Sequence, residues 1–451
     1  MIIEPVENIS PTEAFTGLRH WPYPFMFSGE GINRRYTFIS AGPEVVLKAQ
    51  EGKILINGIN AGYADPFAAL SELMPKYRYE EKGPFPFHCG AAGYFSYDLK
   101  NIIEPKLGID RKIKDIIIPD CIIGFYDPVF AYDHLEGKGF IVSVSGDKKR
   151  IEEFRAAVTI AIGGPYSSEF CFVPSADSIS SDTSKEEFID SVKKAKEYIS
   201  SGDIYQINLS HRLSIPWEGD AFALYSCLVK THPMPFSSFM DFGEFQVISN
   251  SPERLLKITD GTAETSPIKG TRPRGSTPDE DARLIDELKA SRKERAEHVM
   301  IVDLERNDLG RISVPGSVEV TGFEAIETYK ALHHMISTVK GRLKKGIDTP
   351  TALKEIFPGG SITGAPKFRA MEIIDELEKS ARGIYTGGIG WIDFNGDADI
   401  SMAIRTAVHK DGKLFLNVGG GIVADSIPEE EYEETILKAK DFMDVLGLKR
   451  L

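Results

Sequence analysis

Cysteine is scarce in this sequence, and no two cysteines are close together. The 451 residues include only four, Cys89, Cys121, Cys171 and Cys227. No CxxC pair is present, so we do not expect a zinc site, and four scattered cysteines are too few for a disulfide scaffold. This usage is typical of a protein in a reducing compartment, and we therefore expect a cytoplasmic location.

Long hydrophobic runs are also absent. No apolar stretch approaches the roughly 20 residues that a membrane-spanning helix needs. Near the start, Glu4 and Glu7 stand where a signal peptide would have a basic segment followed by an apolar one. We therefore expect no signal peptide and no association with membranes.

The sequence has fewer positive than negative residues. It contains 53 Lys and Arg and 67 Asp and Glu, which gives a net charge of −14. Nucleic-acid-binding proteins usually carry a basic patch. None is visible on this scale, so nucleic acid is not an expected partner. An acidic protein that binds an anion must build a local positive site from Arg, Lys, backbone N–H groups or a metal.

The pattern of apolar residues predicts an α+β fold. Residues 1–165 contain many short strand-like runs, a Ser- and Asp-rich segment at 174–184 reads as a linker, and residues 185–451 show stronger periodicity. Both parts contain strands with helices between them, which indicates a large mixed α+β sandwich. We predict an N-terminal subdomain at 1–165 and a second region at 185–451.

The second region begins with a predicted helix and strand. Ser184 and Glu187 form a capping-box pair at the helix start. The strand YQINLSH that follows alternates in polarity and places three polar side chains on one face, Gln206, Asn208 and Ser210. The pattern leaves open whether this face meets water or the interior.

Two predicted helices each carry a pair of glutamates. Residues 279–305 predict one long helix with Glu294 and Glu297 three positions apart, and the C-terminal helix has Glu431 and Glu434 at the same spacing. Glutamates at this spacing commonly form a solvated helix face. If the two pairs met, a hard divalent cation such as Mg2+ would relieve their repulsion and attract an anionic substrate.

Positive charge is concentrated in the loop SPIKGTRPRG at 266–275. The loop could be solvated, it could hold an anion, or Lys269 could act as a nucleophile if its pKa fell from about 10.4 toward about 7–8. Arg405 lies in a predicted strand, SMAIRTAV, between apolar neighbours. A buried Arg normally has an anionic partner, which can be a protein or a substrate carboxylate.

Two glycine-rich segments, FPGGSITGAPK at 357–367 and NVGGGI at 417–422, could present backbone N–H groups to an anion. Neither has the pattern of an ATP-binding or NAD-binding loop. His333 and His334 lie in a stretch that predicts a helix, and no serine or cysteine nucleophile motif accompanies them.

Nine segments of the sequence, in this order, resemble the chorismate-utilising enzymes. This family includes component I of anthranilate synthase and of aminodeoxychorismate synthase, isochorismate synthase and salicylate synthase. The segments cover roughly residues 200–440: IYQINLS, SPERLL, PIKGTRPRG, KERAEHVMIVDLERNDLGRI, GGSITGAPKFRAMEII, GIYTGGIGW, AIRTAV, VGGGIVADS and EEEYEET. The resemblance implies a large two-subdomain α/β/β/α sandwich with mostly antiparallel sheets, in which residues 185–451 form the chorismate-binding catalytic region.

The resemblance also implies a metal and its ligands. Chorismate has two carboxylates, and Mg2+ would bridge the ring carboxylate to the two glutamate helices. Glu297 and Glu434 would be the closest ligands, with Glu294 and Glu431 assisting directly or through water. The implied substrate contacts are His334 near the ring carboxylate, Tyr385 and Arg405 at the enolpyruvyl carboxylate, and Ser361, Gly419 and Gly421 at substrate oxygens.

Two positions separate the subfamilies. Gln206 stands where isochorismate and salicylate synthases carry a lysine that activates water, and a neutral amide cannot accept that proton, so Gln206 favours ammonia as the nucleophile. Lys269, in PIKGT, resembles aminodeoxychorismate synthase, in which this lysine attacks ring carbon 2. Anthranilate synthases typically have a small residue there.

The resemblance therefore favours component I of an aminodeoxychorismate synthase, which makes 4-amino-4-deoxychorismate on the route to 4-aminobenzoate and folate. Lys269 would attack ring carbon 2, Glu253 would protonate the departing 4-hydroxyl, and ammonia would add at carbon 4. We expect the pKa of Glu253 to be raised by burial and by nearby carboxylates. Because no amidotransferase segment is visible, a separate glutamine amidotransferase subunit is implied as the ammonia donor.

Three other activities remain as alternatives. Anthranilate synthase component I shares every motif except the expectation at Lys269. Isochorismate synthase is disfavoured by Gln206. A non-catalytic chorismate-binding regulator would be expected to lack several of the residues that are present here, Glu253, Glu297, Glu434 and Arg405.

Overall fold

The computed structural model describes residues 1–29, 35–107, 114–163, 178–329 and 332–448. Cys171 and positions 174–177 of the expected linker lie outside these ranges. Numbered in chain order, the described helices are α1 (Pro11–Leu18), α2 (Pro66–Leu73), α3 (Lys100–Ile103), α4 (Lys148–Thr159), α5 (Lys185–Ser200), α6 (Ala221–Thr231), α7 (Pro278–Ala290), α8 (Arg292–Ile312), α9 (Thr349–Ile356), α10 (Lys367–Leu377), α11 (Pro428–Lys438) and α12 (Lys440–Val445).

The 24 described strands form two twelve-stranded sheets. The first sheet runs, in spatial order, β1 (Ile2–Val6), β10 (Lys138–Ser143), β9 (Val129–Asp133), β3 (Tyr36–Ser40), β2 (Phe25–Ser28), β13 (Phe236–Asp241), β14 (Gln246–Ser251), β23 (Thr406–Lys410), β24 (Lys413–Ile422), β12 (Gln206–Pro216) and β11 (Ser180–Ser181), with β20 (Gly364–Ala365) also paired to β12.

The second sheet runs β17 (Ile268–Pro273), β19 (Leu332–Arg342), β16 (Thr262–Ser266), β15 (Arg254–Thr259), β22 (Ala398–Met402), β21 (Gly388–Asp393), β7 (Gly90–Phe95), β8 (Cys121–Tyr126), β4 (Val45–Gln50), β5 (Lys53–Ile56) and β6 (Ile59–Asn60), with β18 (Glu319–Thr328) also paired to β19. Every described strand pairing is antiparallel. Each sheet contains strands from both 1–165 and 185–451.

The two sheets pack face to face between two layers of helices. Phe38 of the first sheet meets Trp391 of the second with ring centroids 6.3 Å apart. Outside the first sheet, α1 packs through Phe15 onto Phe239 at 5.4 Å, and outside the second sheet α2 packs through Phe67 onto β7. This order of layers confirms the α+β class and the predicted α/β/β/α sandwich with antiparallel sheets.

The predicted capping box at the start of α5 is confirmed. Ser184 Oγ accepts a hydrogen bond from the Glu187 N–H at 3.2 Å, and the Glu187 carboxylate accepts one from the Ser184 N–H at 2.8 Å. Two donors that the first helical turn cannot satisfy are thereby paired. No helix within the described ranges is both long enough and apolar enough to cross a membrane.

The structure corrects three predictions of local structure. The long helix over 279–305 is two helices, because Ser291 leaves helical geometry and its side chain caps α8 by accepting from the Glu294 N–H. His333 and His334 lie in strand β19, where β17 and β18 pair on either side. Arg405 lies between two strands, at φ +48°, where the chain crosses from the second sheet to the first.

Candidate active site

A cavity of about 600 Å3 opens where the two sheets and two helices meet. Strands β12 and β24 contribute from the first sheet, β17 and β19 from the second, and α8 and α11 supply the glutamates. All but one of the residues singled out from the sequence for catalysis, substrate or metal line this cavity: Glu253, Lys269, Glu294, Glu297, His334, Ser361, Tyr385, Arg405, Gly419, Gly421, Glu431 and Glu434. The exception is Gln206, which is buried directly behind Gly421.

Two glycines keep one wall of the cavity open. A Cβ on Gly421 would lie 2.7 Å from Gln206 Nε2 and 3.5 Å from Lys269 Nζ. A Cβ on Gly419 would lie 2.7 Å from the Tyr385 hydroxyl. At 2.7 Å a carbon atom would displace the Gln206 amide and the Tyr385 hydroxyl, so glycine at these two positions leaves room for both groups. The segment NVGGGI forms the second half of strand β24.

Lys269 is aimed into the cavity by an irregularity in β17. Ile268 pairs with Ile336 and Thr271 with His334, so β17 has one residue more than β19 over this stretch. Such a β-bulge turns side chains away from the regular alternation of a strand. Gly270, at φ +83°, supplies the left-handed conformation that the bulge needs. Lys269 thus lines the same cavity as the glutamates of α8 and α11.

Glu253 is a buried carboxyl group beside this lysine. Burial raises its pKa, while Ser361, Lys269 and Lys438 act in the opposite direction. Burial is therefore the main cause, as we expected, and a neighbouring carboxyl group is also present, because Glu253 in turn raises the pKa of Glu305. A carboxyl group whose pKa is raised by burial keeps its proton to a higher pH than an exposed one, which suits it to act as a general acid.

His334 is neutral at physiological pH. Burial and the nearby Arg405 guanidinium lower its pKa to about 3. Its Nδ1 lies 2.9 Å from the hydroxyl of Thr271. A neutral imidazole in the cavity can exchange hydrogen bonds with a substrate carboxylate, but it adds no positive charge.

The positive charge at this end of the cavity comes from Arg405. Its guanidinium is paired with Asp441, and its side chain is 21% exposed. Tyr385 also lines the cavity here, and burial raises the pKa of its phenol, so the hydroxyl stays protonated. An arginine and a phenol O–H together can hold a carboxylate.

The four glutamates line the cavity from two helices and already have partners. Glu294 accepts from both terminal nitrogens of Arg272, at 2.9 and 3.1 Å, and Glu434 pairs with Lys438 at 2.8 Å. Glu431 accepts from Ser426 Oγ at 2.6 Å. Across the described ranges, no three His, Cys, Asp or Glu side chains stand close enough to hold a metal.

The chemistry of this donor set nevertheless fits Mg2+. Four carboxylates on two helices offer the oxygen ligands that this ion requires. To coordinate the ion, Glu434 would have to give up its ion pair with Lys438. Direct coordination by Glu294 would require its ion pair with Arg272 to lengthen.

The sequence reasoning missed several residues that the structure brings to the cavity. Lys438 and Thr271 line it, and so do Asn208 and Asn417. Lys438 could have been found, because it lies four residues after Glu434 on the same face of α11. The polar face of β12 turns out to be buried, since Gln206, Asn208 and Ser210 are all less than 10% exposed.

Comparison with known proteins places these observations in a family. The model of the chorismate binding enzymes matches residues 23–444. Anthranilate synthase component 1 of Aquifex aeolicus is 40% identical over 439 residues, which cover 93% of this chain and 88% of that protein. Aminodeoxychorismate synthase component 1 of Bacillus subtilis is 38% identical over 422 residues, which cover 90% and 88%.

The same fold is found in a solved structure. The crystal structure of anthranilate synthase component I from Streptococcus pneumoniae superposes with a TM-score of 0.82 at 33% sequence identity. The match covers 98% of this chain and 99% of that one. The expected likeness to the fold of anthranilate synthase component I is therefore confirmed.

Proposed function

Because this chain belongs to the family of chorismate-binding enzymes, we propose that it is component I of an aminodeoxychorismate synthase. It converts chorismate and ammonia to 4-amino-4-deoxychorismate and water, as a step toward 4-aminobenzoate and folate. The observation that carries the proposal is the position of Lys269, which lines one cavity with Glu253 and the glutamates of α8 and α11.

Each of the two substrate carboxylates finds complementary groups in the cavity. Arg405 and Tyr385 bind the enolpyruvyl carboxylate, and His334 lies at the ring carboxylate. Ser361 and the backbone of Gly419 and Gly421 bind the remaining oxygens. Mg2+, held by Glu297 and Glu434 with Glu294 and Glu431 assisting, would neutralise the ring carboxylate and make the ring more electrophilic.

The first chemical step joins Lys269 to the ring. The lone pair of its neutral amine forms a bond to ring carbon 2, the two ring double bonds shift, and the bond from carbon 4 to its hydroxyl breaks. Glu253 gives its proton to this oxygen, so water leaves. The raised pKa of Glu253 supports this role, because the carboxyl group must hold a proton when the bond breaks.

The second step replaces the lysine with ammonia. The ammonia lone pair forms a bond to carbon 4, the double bonds shift back, and the bond between carbon 2 and Lys269 breaks to return the neutral amine. The new ammonium group gives a proton to Glu253, which restores the acid. The sum is chorismate plus ammonia giving 4-amino-4-deoxychorismate plus water.

Ammonia is supplied by a separate glutamine amidotransferase subunit. The relatives are named component 1 of their synthases, which supports the presence of a second, separate subunit. The isolated chain should accordingly use ammonium salts but not glutamine.

Anthranilate synthase component I is the second candidate, because most of the similar relatives carry that name. Incubating the chain with chorismate, Mg2+ and ammonium chloride, followed by mass spectrometry, separates the two activities. 4-Amino-4-deoxychorismate, formed without pyruvate, supports the proposal. Anthranilate and pyruvate in equal amounts would overturn it in favour of the second candidate.

A further inference from the structure

Two neighbouring amide side chains on β12 are buried and carry polar atoms that no residue within the described ranges pairs. Gln206 and Asn208 are two positions apart on one face of the strand, and they are 1% and 9% exposed. Among the residues that the structure describes, neither polar atom of the Gln206 amide nor Asn208 Oδ1 has a partner. Buried polar groups are nearly always paired, so three such atoms in one place point to a ligand.

These two amides lie beside Lys269. Asn208 lines the cavity and is paired across the sheet with Gly421. The Gln206 amide and the Lys269 amine both approach the space over Gly421, at 2.7 and 3.5 Å from the position of a Cβ there. A small polar molecule held by the amides would therefore be next to the amine of Lys269.

Ammonia is the small polar molecule whose chemistry this arrangement suits. It has three N–H donors and one lone pair, and it attacks carbon only while the lone pair is free. A carboxylate neighbour would favour the ammonium ion, which has no lone pair. Neutral amide oxygens accept the N–H groups without supplying a proton, and an amide can turn either end toward the ligand.

We infer that Asn208 is a binding residue of an ammonia subsite that it forms with Gln206, the residue that the family resemblance associates with ammonia. The inference rests on the proposed function only because it requires ammonia as the nucleophile. Anthranilate synthase also uses ammonia, so the inference holds for either activity. The position also fits the proposed double displacement. Ring carbons 2 and 4 are separated by one carbon, so the ammonia that attacks carbon 4 must lie beside the lysine that leaves carbon 2.

The test is the steady-state kinetics of Asn208→Leu and Asn208→Asp with ammonium chloride as nitrogen source and chorismate as cosubstrate. In Asn208→Leu, we expect KM for ammonia to rise about three- to tenfold, because a neutral hydrogen bond is lost, while KM for chorismate stays within about twofold. In Asn208→Asp, the carboxylate favours ammonium, so KM for total ammonium falls and kcat falls with it.

A matched control separates binding from stability. Asn250 is also buried, but its amide accepts from Ser237 and donates to the His232 carbonyl outside the cavity, so Asn250→Leu should lower the melting temperature and leave KM for ammonia unchanged. An unchanged KM for ammonia in both Asn208 variants would overturn the subsite, and so would a rise confined to KM for chorismate. Product identity in the unmodified enzyme tests the proposed function separately.

Discussion

The Arg382 guanidinium donates to both carboxylate oxygens of Glu378, at 2.7 and 2.9 Å, and neither side chain is more than 5% exposed. The same guanidinium donates to the carbonyls of Asn208 and Ile362, at 2.8 and 3.0 Å. One buried ion pair therefore ties β12 to the loop that carries Ser361.

We predict that Arg382→Met destabilises the protein strongly. The change leaves the Glu378 carboxylate buried without its cation, which costs about 3–5 kcal/mol. Urea denaturation should show this loss, and the double variant Arg382→Met/Glu378→Met should recover part of it. Arg283→Met, which breaks the exposed pair with Glu287 on the surface of α7, should cost clearly less. Equal losses at the two sites would contradict the prediction.

Lys269→Ala should lower the rate of 4-amino-4-deoxychorismate formation to that of the uncatalysed reaction. The variant lacks the amine that attacks carbon 2, and the space it leaves admits ammonia to that carbon. NMR spectroscopy of the products formed with ammonium chloride, which distinguishes the two isomers, should therefore find any residual amination at carbon 2. Full-rate amination at carbon 4 would refute the lysine adduct, provided that chorismate binding is shown to be intact.

Gly421→Ala should lower kcat by about tenfold or more while the protein remains folded. The added methyl group would lie 2.7 Å from the Gln206 amide, which must move, and close to Lys269. Gly310→Ala, in α8, is the control, because nothing lies within 4 Å of the position of its Cβ. Kinetics with ammonium chloride would show whether the two variants differ; similar losses in both would count against a steric role for Gly421.

Stability should fall with rising pH because of Glu305. This residue of α8 is buried, and burial together with Asp308 raises its pKa from 4.5 to about 8. The folded state holds the proton that the unfolded chain releases, so stability is fully present below about pH 4.5 and is lost progressively up to about pH 8. Thermal unfolding of Glu305→Gln should match the unmodified protein near pH 4 and exceed it near pH 8.5.

An exposed position provides the control for this pH effect. Glu287→Gln removes a carboxylate from the surface of α7 and should leave the change in melting temperature between the two pH values unaltered. If Glu305→Gln and Glu287→Gln behaved alike, the carboxyl group of Glu305 would not be the source of the pH dependence.

Local signals in the sequence predicted those features that depend on near neighbours along the chain. The capping box of Ser184 and Glu187 involves residues three positions apart, so its residue types suffice to predict it. The alternation of Gln206, Asn208 and Ser210 likewise predicted that they share one strand face. The order of nine motifs was sufficient to indicate the family, and with it the residues that line the cavity.

Only the tertiary structure decided which parts of the chain pack against each of these features. Alternation cannot reveal that the polar face of β12 is buried, because this depends on β24 and on the cavity beyond it. Arg405 reads as part of a strand, yet the chain changes sheets there, which no local pattern records. His334 became a strand residue because β17 and β18 pair with β19 from both sides, and such pairing joins residues that are far apart in the sequence.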